Sequence, residues 1–311
     1  MELRAYAKIN LSLDVIGRRD DGYHNISSLM QDVGLYDVIK IEKCSKSGTK
    51  YKVAHCSICN ADVYLCSNVD TIPTDDSNLA VKGARALLET MLADGRPEAE
   101  ELRELSIYID KRLPVAAGIA GGSGNGAVTM LGMNALAGYP YSLRELMTIG
   151  AKVGADVPYS LMMNAKKNEA LLADLPGIEE AGVAAMIEGI GDIVEPVSPI
   201  HKYVILANPG VSVSTREAYE AIDSLRDYAD ESGLFTNQLE KYTLANCDKA
   251  AELKAFMQKE LDADIVLMSG SGPTMVAYYE AEESAKRDYE RVKSNLGDGC
   301  IRMWLTETGM Q

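Results

Sequence analysis

Basic residues, phenylalanine and tryptophan are scarce in this chain of 311 residues. It has 31 Lys and Arg against 46 Asp and Glu, for a formal net charge of −15. A surface this negative repels nucleic-acid phosphates and anionic lipids, which argues against nucleic-acid and membrane-surface partners. A phosphorylated small molecule would need local cations, and Arg18-Arg19 and Lys111-Arg112 are candidate pairs. Either pair is also compatible with ordinary solvated surface.

The sequence also lacks the features of an exported or membrane-spanning chain. No charged segment followed by an apolar one opens it, so we expect no secretory signal. Residues 113–143 carry no charge, but seven glycines and two prolines interrupt them. No block of about twenty strongly apolar residues remains. We therefore expect a cytoplasmic protein in which this stretch forms a buried glycine-rich loop and helix.

The six cysteines predict reduced thiols, since a disulfide framework is typical of small secreted domains. One group leaves an alternative open. His55, Cys56, Cys59 and Cys66 lie close together in the sequence, with Cys44 upstream. A third thiol and an imidazole beside a C-x2-C pair could bind zinc. No second C-x2-C or H-x3-H pair completes a familiar spacing, so thiols that pack on strands are the simpler interpretation.

The first sixteen residues give the clearest strand pattern in the chain. Apolar residues from Leu3 to Val15 alternate with polar ones. A period of two places Lys8 and Asn10 on the same face of the strand. Taken alone, this polar stripe indicates a solvated outer face.

Further along the chain, strand and helix patterns predict an α+β protein of two domains, 1–162 and 163–311. The boundary is placed at a segment of different character, residues 163–181, which resembles an inserted, partly helical loop. In the second half, helices are expected on one face of an antiparallel sheet. The predicted strands are 33–65 (a strand-rich stretch), 106–110, 203–207, 265–268, 275–279 and 301–305. The predicted helices are 78–91, 125–137, 142–154, one capped by Ser214, 245–261 and 281–295.

A glycine-rich loop between a strand and a helix, residues 114–125, is the main functional signal. Glycines let backbone N–H groups point at a bound anion, and the helix that follows adds its positive end. The loop is neither a P-loop, since G-x4-G-K-[ST] is absent, nor a Rossmann fingerprint. A tight-packing turn is the alternative interpretation. A second turn, residues 268–274, fits an ordinary hairpin alone, but together with the first loop it suggests two backbone clamps on one charged ligand.

Seven segments, in the order in which they occur, carry a resemblance to a known family. They are Ala7-Lys8-Ile9-Asn10-Leu11-x-Leu13, Gly22-Tyr23-His24, Pro73-Thr74-x-x-Ser77-Asn78-Leu79, the loop 114–125, Gly154-Ala155-Asp156-Val157-Pro158, Gly189-Ile190-Gly191-Asp192 and Ser269-Gly270-Ser271-Gly272. Together, from the N-terminus to about Ala277, they resemble the GHMP kinase superfamily. The first two segments are similar to the branch whose substrate is a cytidyl diphosphate ester of an erythritol.

The resemblance implies a fold and a reaction. The fold would be an S5-like N-terminal domain and a ferredoxin-like C-terminal domain, with the active site in the cleft between them. The reaction would transfer the γ-phosphoryl group of ATP, with Mg²⁺, to the 2-hydroxyl of the erythritol unit, in the non-mevalonate route to isoprenoids. The partners would be the small-molecule substrate and ATP; the oligomeric state is not implied.

The resemblance also implies residue roles. Asp156 would accept the hydroxyl proton, and Lys8 would polarise that hydroxyl. Asn10 and His24 would hold the substrate, while Tyr23 and Tyr219 would sandwich its cytosine ring. The residues expected at the nucleotide are Asn78 and Lys111 at the adenine, and Pro114, Ala116, Ala117, Gly118, Ile119, Ala120, Gly121, Gly122, Ser123, Gly124, Asn125, Gly270, Ser271 and Gly272 in the two glycine-rich turns. The metal ligands are not implied.

Three departures separate this chain from the pattern it resembles. Ala120 stands where the loop has glycine, and Gly124 stands where it has serine, which weakens one phosphate or Mg²⁺ contact. The segment after Pro158 lacks the usual glycine pair and carries an insertion of roughly twenty residues beside the expected substrate site. The stretch near Cys56 is also longer. Two alternative functions stay open. The chain could be a related kinase that acts on a mevalonate-like alcohol, or a non-catalytic paralogue that binds nucleotide.

Overall fold

The computed structural model describes residues 1–43, 52–56, 61–225, 233–293 and 301–310. The strands are β1 (Glu2–Asn10), β2 (Ser12–Arg18), β3 (His24–Lys43), β4 (Lys52–Cys56), β5 (Ala61–Ser67), β6 (Glu104–Asp110), β7 (Ala184–Gly189), β8 (Ile193–Pro196), β9 (Lys202–Asn208), β10 (Thr236–Asn237), β11 (Ile265–Met268), β12 (Met275–Tyr279) and β13 (Arg302–Thr308). The helices are α1 (Leu79–Ala93), α2 (Glu98–Glu101), α3 (Gly121–Leu136), α4 (Leu143–Gly150), α5 (Val157–Lys167), α6 (Thr215–Leu225), α7 (Gln238–Asn246), α8 (Asp248–Glu260) and α9 (Glu282–Lys293).

The long strand β3 organises the sheet. Its twenty residues pair antiparallel with β1, β2, β6 and β7, and a single residue pair joins it to β13. The path of strands runs β11-β12-β9-β13-β3-β6-β5-β4, so both halves of the chain contribute to one hydrogen-bonded sheet. Strand β3 therefore lies where the N-terminal and C-terminal parts of this sheet meet.

The polar face of β1 is buried, which corrects the expectation of a solvated stripe. Every residue from Ala5 to Asn10 is buried, including Lys8 at 3% and Asn10 at 0% exposure. The apolar face packs in the core, and α5 covers the other face, where the Asn164 side chain accepts a hydrogen bond from the Tyr6 backbone N–H. A buried lysine and asparagine need polar partners, which marks this face as a candidate site.

The uncharged stretch 113–143 forms the predicted loop and buried helix. Helix α3 begins at Gly121, earlier than the expected start near residue 125, and it is buried along most of its length. Close packing explains its small residues: a Cβ at Gly126 would lie 2.8 Å from the Leu79 carbonyl oxygen. Within the described part of the chain, no helix is both long and apolar enough to cross a bilayer.

The segment 163–181 packs on the N-terminal core. Helix α5 runs through residues 162 and 163, where the domain division was predicted, and short 3₁₀ turns follow it. Leu172 and Leu175 are buried in the N-terminal hydrophobic cluster, and Lys167 forms a 3.0 Å ion pair with the buried Asp32. The segment is partly helical, as expected. It does not lie beside the large cavity described below, because none of its residues lines it.

The C-terminal half has the predicted antiparallel sheet, in the order β11-β12-β9-β13. Alternate residues of this sheet divide between two cores. Ile205 and Ala277 pack with the helices, whereas Val204 and Val276 pack against Ala7 of β1 and its neighbours. Strands β9, β11 and β12 and helix α9, as far as Lys293, confirm the sequence prediction. The predicted helix 245–261 corresponds to α8, Asp248–Glu260; its first two residues belong to the end of α7, and the two helices meet at Cys247 with extended backbone.

Candidate active site

A cavity of about 1000 Å³ opens between the two halves of the chain. Its walls come from β1, the start of β3, the glycine-rich loop, the N-terminus of α5, helix α6 and the turn that follows β11. Most ligand sites are concavities of this size. The cavity is therefore the candidate active site.

Lys8 and Asn10 face this cavity from β1. The Lys8 ammonium donates a 2.7 Å hydrogen bond to Asn10 Oδ1, and Asn10 Nδ2 donates a 2.8 Å bond to Ser28 Oγ. Ser28 in turn donates to the Ser12 carbonyl oxygen at 2.6 Å. This chain of donors fixes the amide of Asn10 with its oxygen toward Lys8, and so holds the ammonium at the cavity wall.

Asp156 approaches the same ammonium from the opposite wall. It precedes α5, makes no capping hydrogen bond of its own, and places Oδ2 3.7 Å from Lys8 Nζ. Its side chain is 33% exposed, against 4% for that of Lys8. The distance is that of an ion pair and leaves the carboxylate free to accept another donor. Pro158, in the first turn of α5, fits the start of this helix.

The glycine-rich loop and the second glycine turn touch each other at the cavity. Ser269 Oγ donates a 2.9 Å hydrogen bond to the Gly118 carbonyl oxygen. Gly118 has φ +75°, and a Cβ there would lie 2.3 Å from the Ser269 carbonyl oxygen, so only glycine fits. Ala120 also has a left-handed φ of +54° at the start of α3. The backbone turns inward here, which leaves the N-terminus of α3 facing the cavity, as an anion site requires.

The base of the loop is held by Asp37, a fully buried carboxylate that the sequence analysis did not single out. Asp37 Oδ1 accepts the backbone N–H groups of Arg112 and Leu113 at 2.7 and 2.9 Å, and Oδ2 accepts the Lys111 ammonium at 2.5 Å. With its amide oriented to donate, Asn125 also reaches Oδ2 at 2.9 Å. Lys111 was expected to offset phosphate charge, but its own charge is already paired with Asp37.

Asn78, expected at the adenine, caps helix α1. Its Oδ1 accepts the Ala80 N–H at 2.9 Å, and its Nδ2 donates to the Pro73 carbonyl oxygen at 2.7 Å. The same side chain lines the cavity. A cap whose donors and acceptor are engaged by backbone is rigid, so Asn78 presents a fixed edge of the wall.

Aromatic rings cluster at the other end of the cavity. His24 and Tyr219 stack with ring centroids 5.4 Å apart at an angle of 29°. Burial raises the pKa of the Tyr219 phenol above its ordinary value, so the phenol stays neutral. Tyr23, expected opposite Tyr219, is 63% exposed at the cavity mouth. The His24 ring also contacts Asp223, with 2.9 Å between Nε2 and Oδ1.

Almost every predicted site residue lines this one cavity. They are Lys8, Asn10, Tyr23, His24, Asn78, Lys111, Pro114, Ala116, Ala117, Gly118, Ala120, Gly121, Gly122, Ser123, Asn125, Asp156, Tyr219, Gly270, Ser271 and Gly272. Two predicted nucleotide contacts, Ile119 and Gly124, do not line it. The Ile119 side chain is buried in the core while its carbonyl oxygen accepts the Lys8 N–H, and Gly124 faces the Tyr6 carbonyl oxygen.

The proposed zinc alternative stays untested. Cys44 and Cys59 lie outside the described residues, whereas Cys66 is a half-buried free thiol. His55 is engaged elsewhere, with Nδ1 2.7 Å from Asp62 Oδ1. Among the residues that the structure describes, no three His, Cys, Asp or Glu side chains form a metal-binding group.

The fold and site together define a class of protein. The family of GHMP kinases N terminal domains matches residues 78–164, and that of GHMP kinases C terminal domains matches residues 215–298. These two segments contain the loop, Asp156, Tyr219 and the second glycine turn. The protein is a GHMP kinase, and the expected two-domain GHMP kinase fold is confirmed.

Individual relatives identify the family within the GHMP kinases to which this chain belongs. The 4-diphosphocytidyl-2-C-methyl-D-erythritol kinase of Alkaliphilus metalliredigens is 34% identical over 310 residues, covering 94% of this chain and 92% of its own. That of Clostridium perfringens is 35% identical over 312 residues, covering 94% and 93%. A crystal structure of 4-(cytidine 5′-diphospho)-2C-methyl-D-erythritol kinase matches with a TM-score of 0.69 and 25% identity, covering 100% of both chains. The chain belongs to the 4-diphosphocytidyl-2-C-methyl-D-erythritol kinase family.

Proposed function

We propose that this chain transfers the γ-phosphoryl group of ATP to the 2-hydroxyl of 4-diphosphocytidyl-2-C-methyl-D-erythritol. The observation that carries the proposal is the placement of Lys8 and Asp156. They face each other across 3.7 Å, in a cavity with the N-terminus of α3 in its wall and the His24–Tyr219 ring pair beside it. One end suits phosphates, the other suits an aromatic base, and the charged pair lies in the same cavity.

In the proposed mechanism the 2-oxygen of the substrate forms a bond to the γ-phosphorus, and the bond to the β–γ bridging oxygen breaks, releasing ADP. Asp156 accepts the hydroxyl proton, since its carboxylate makes no helix-capping bond. Lys8 neutralises charge that develops on the reacting oxygens. Asn10 holds the Lys8 ammonium in place through the 2.7 Å hydrogen bond. Its role is to position Lys8, and it takes no part in proton or phosphoryl transfer.

The nucleotide phosphates would lie at the N-terminus of α3, where unpaired N–H groups face the cavity. Mg²⁺ usually reaches such sites with the phosphates and takes few protein ligands. Ser123 lines the cavity in the first turn of α3 and offers the oxygen donor that this ion prefers. We therefore propose Ser123 as its protein contact. When bound, the ion would neutralise charge on the β- and γ-phosphates.

The test is an assay of ADP release across a panel of alcohols, with wild type and two variants. Asp156→Asn removes the proton acceptor at nearly constant shape, and Lys8→Met removes the ammonium. Each should lower kcat at least about 100-fold. The double variant should be little worse than either, because the two residues act in one step. Asp174→Asn, an exposed carboxylate outside the cavity, is the matched control and should leave kcat unchanged.

Each competing function has its own outcome in this assay. Turnover of mevalonate-like alcohols in preference to the cytidyl substrate would replace the proposed acceptor. Nucleotide binding without turnover of any alcohol would indicate a regulatory paralogue. An Asp156→Asn variant that retains more than about a tenth of wild-type kcat would remove Asp156 from the proton-transfer role. The cytoplasmic location and the absence of a nucleic-acid partner stay predictions from the sequence.

A further inference from the structure

Asp223 joins the base-recognition end of the cavity from helix α6. It follows Tyr219 by one helical turn, so both side chains lie on the same face of that helix. Its Oδ1 lies 2.9 Å from His24 Nε2, and its Oδ2 accepts a 3.1 Å hydrogen bond from Arg18 Nη1. The arginine and the imidazole therefore contact different oxygens of this carboxylate. Nothing in the sequence pattern singled out Asp223.

This contact determines which hydrogen-bonding groups His24 has left to offer. An ionised carboxylate only accepts, so Nε2 must carry the proton. In the neutral ring the other nitrogen, Nδ1, then presents a lone pair. The side chain is 5% exposed and lines the cavity, and no residue in the described part of the chain hydrogen-bonds to Nδ1. An acceptor that has no partner among the described residues, on a side chain that lines the cavity, is available to a donor on the ligand.

We propose that Asp223 is a positioning residue that fixes His24 as a hydrogen-bond acceptor and thereby selects a pyrimidine with an exocyclic amino group. Cytosine presents an amino donor at position 4, whereas uracil presents an oxygen acceptor there. The Nδ1 lone pair attracts the first and repels the second. The inference rests on the proposed function, and it adds the origin of the preference for the cytidyl ester.

The kinetic test compares the cytidyl substrate with its uridyl counterpart at pH 8. In Asp223→Asn, Arg18 holds the amide oxygen, so the amide N–H₂ faces Nε2 and the ring proton moves to Nδ1. The cytidyl-to-uridyl ratio of kcat/KM should fall at least about tenfold. The change should appear in KM for the pyrimidine substrate, with kcat for the cytidyl substrate and KM for ATP nearly unchanged. Glu217→Gln makes the same charge change on α6, outside the cavity, and should leave the ratio as in wild type.

A second measurement reads the tautomer directly. The chain has three histidines, so nitrogen resonances of a ¹⁵N-histidine-labelled protein can be assigned with the His24→Gln variant. Wild-type His24 should show a protonated Nε2 and a lone pair at Nδ1, and Asp223→Asn should reverse them. An unchanged tautomer, or an unchanged base ratio with wild-type turnover intact, would overturn the inference alone. No turnover of the cytidyl substrate by wild type would instead overturn the proposed function.

Discussion

At the scale of single residues, Gly118 shows how the two glycine-rich turns depend on each other. Two conditions exclude a side chain there: a left-handed φ of +75°, and backbone oxygens of Ser269 and Gly272 at 2.3 and 2.9 Å from any Cβ. Gly95 meets only the first condition, because its φ is +64° but nothing lies within 4 Å of a Cβ. Comparing substitutions at Gly118 and Gly95 therefore separates the effect of backbone strain from the effect of losing the contact between the two turns.

We therefore expect Gly118→Ala and Gly95→Ala to differ in kind. Both should lose roughly 1–2 kcal/mol of stability from left-handed strain. Only Gly118→Ala should also push the two turns apart and lower kcat/KM for ATP, by about 10–100-fold for a misplacement near 1 Å. Urea unfolding and steady-state kinetics on both variants measure these effects. If Gly118→Ala keeps wild-type kinetics, the contact between the turns plays no part in nucleotide binding.

The catalytic positions could be predicted from sequence in part, and the limit is physical. A period of two placed Lys8 and Asn10 on one face, but it could not show that α5 buries that face. Asp37 and Asp223 escaped notice because a lone carboxylate has no local signature. Their partners lie far away in the chain: Arg112 is 75 residues from Asp37, and His24 is 199 residues from Asp223.

At the scale of elements, the start of α4 is set by a capping box between Ser142 and Glu145. Ser142 Oγ accepts the Glu145 N–H, and the Glu145 carboxylate accepts the Ser142 N–H and hydroxyl at 2.7 Å each. These hydrogen bonds, the backbone one first, lower the pKa of Glu145 below its ordinary 4.5. The ionised carboxylate therefore favours the folded state.

The lowered pKa of Glu145 determines how the stability of the protein changes with pH. The folded pKa is lower than the unfolded one, so the contribution of Glu145 is fully present above about pH 4.5 and is lost as pH falls through the folded value. Glu145→Gln should destabilise the protein at pH 7, with a difference from wild type that shrinks below pH 4.5. Ser142→Ala should cost about 1 kcal/mol at pH 7. Urea unfolding between pH 7 and 3.5 tests both, and a pH-independent Glu145→Gln difference would contradict the charge argument.

Elements with strong local signals were predictable, and those that depend on partners were not. Strands β11 and β12 match the prediction residue for residue, since each is a short apolar run bounded by turn residues. Strands β7 and β8 were missed because β7 is recognisable only by its pairing with β3. The break between α7 and α8 at Cys247 could not be predicted, because the sequence there has no Gly or Pro.

At the scale of the whole molecule, the site lies where the two halves share structure. Tyr219 packs against both the helical core of the C-terminal half and the cluster around Tyr159. The charge of the cavity differs from that of the surface. Four basic residues, Lys8, Arg18, Lys111 and Arg216, line it against three acidic ones, Asp21, Asp156 and Glu220, in a chain whose net charge is −15. Because Asp37 already pairs with Lys111, this lining is close to neutral, and an anionic substrate meets less repulsion there than at the rest of the surface.

The division of the chain can be tested by splitting it. A cut between residues 162 and 163, the division expected from the sequence, would break α5 between two buried methionines and separate Leu172 and Leu175 from their core. It would also place β7 on a different fragment from β3, its partner from Ile26 to Gln31. A cut between residues 197 and 198 falls in an exposed connection between β8 and β9, where chains tolerate breaks.

We therefore expect the fragment pair 1–197 and 198–311, when co-expressed, to assemble into an active complex, and the pair 1–162 and 163–311 to fail. Neither fragment should be stable alone, because Val204 and Val276 of one pack on Ala7 and Val33 of the other. Co-purification, thermal unfolding and ADP release measure the outcome, with the uncut chain as reference. Equal assembly of both pairs would mean that α5 tolerates a break and that residues 163–196 can fold with the C-terminal half. If the pair 1–197 and 198–311 fails while the pair 1–162 and 163–311 assembles, the domain boundary lies between residues 162 and 163, as the sequence predicted.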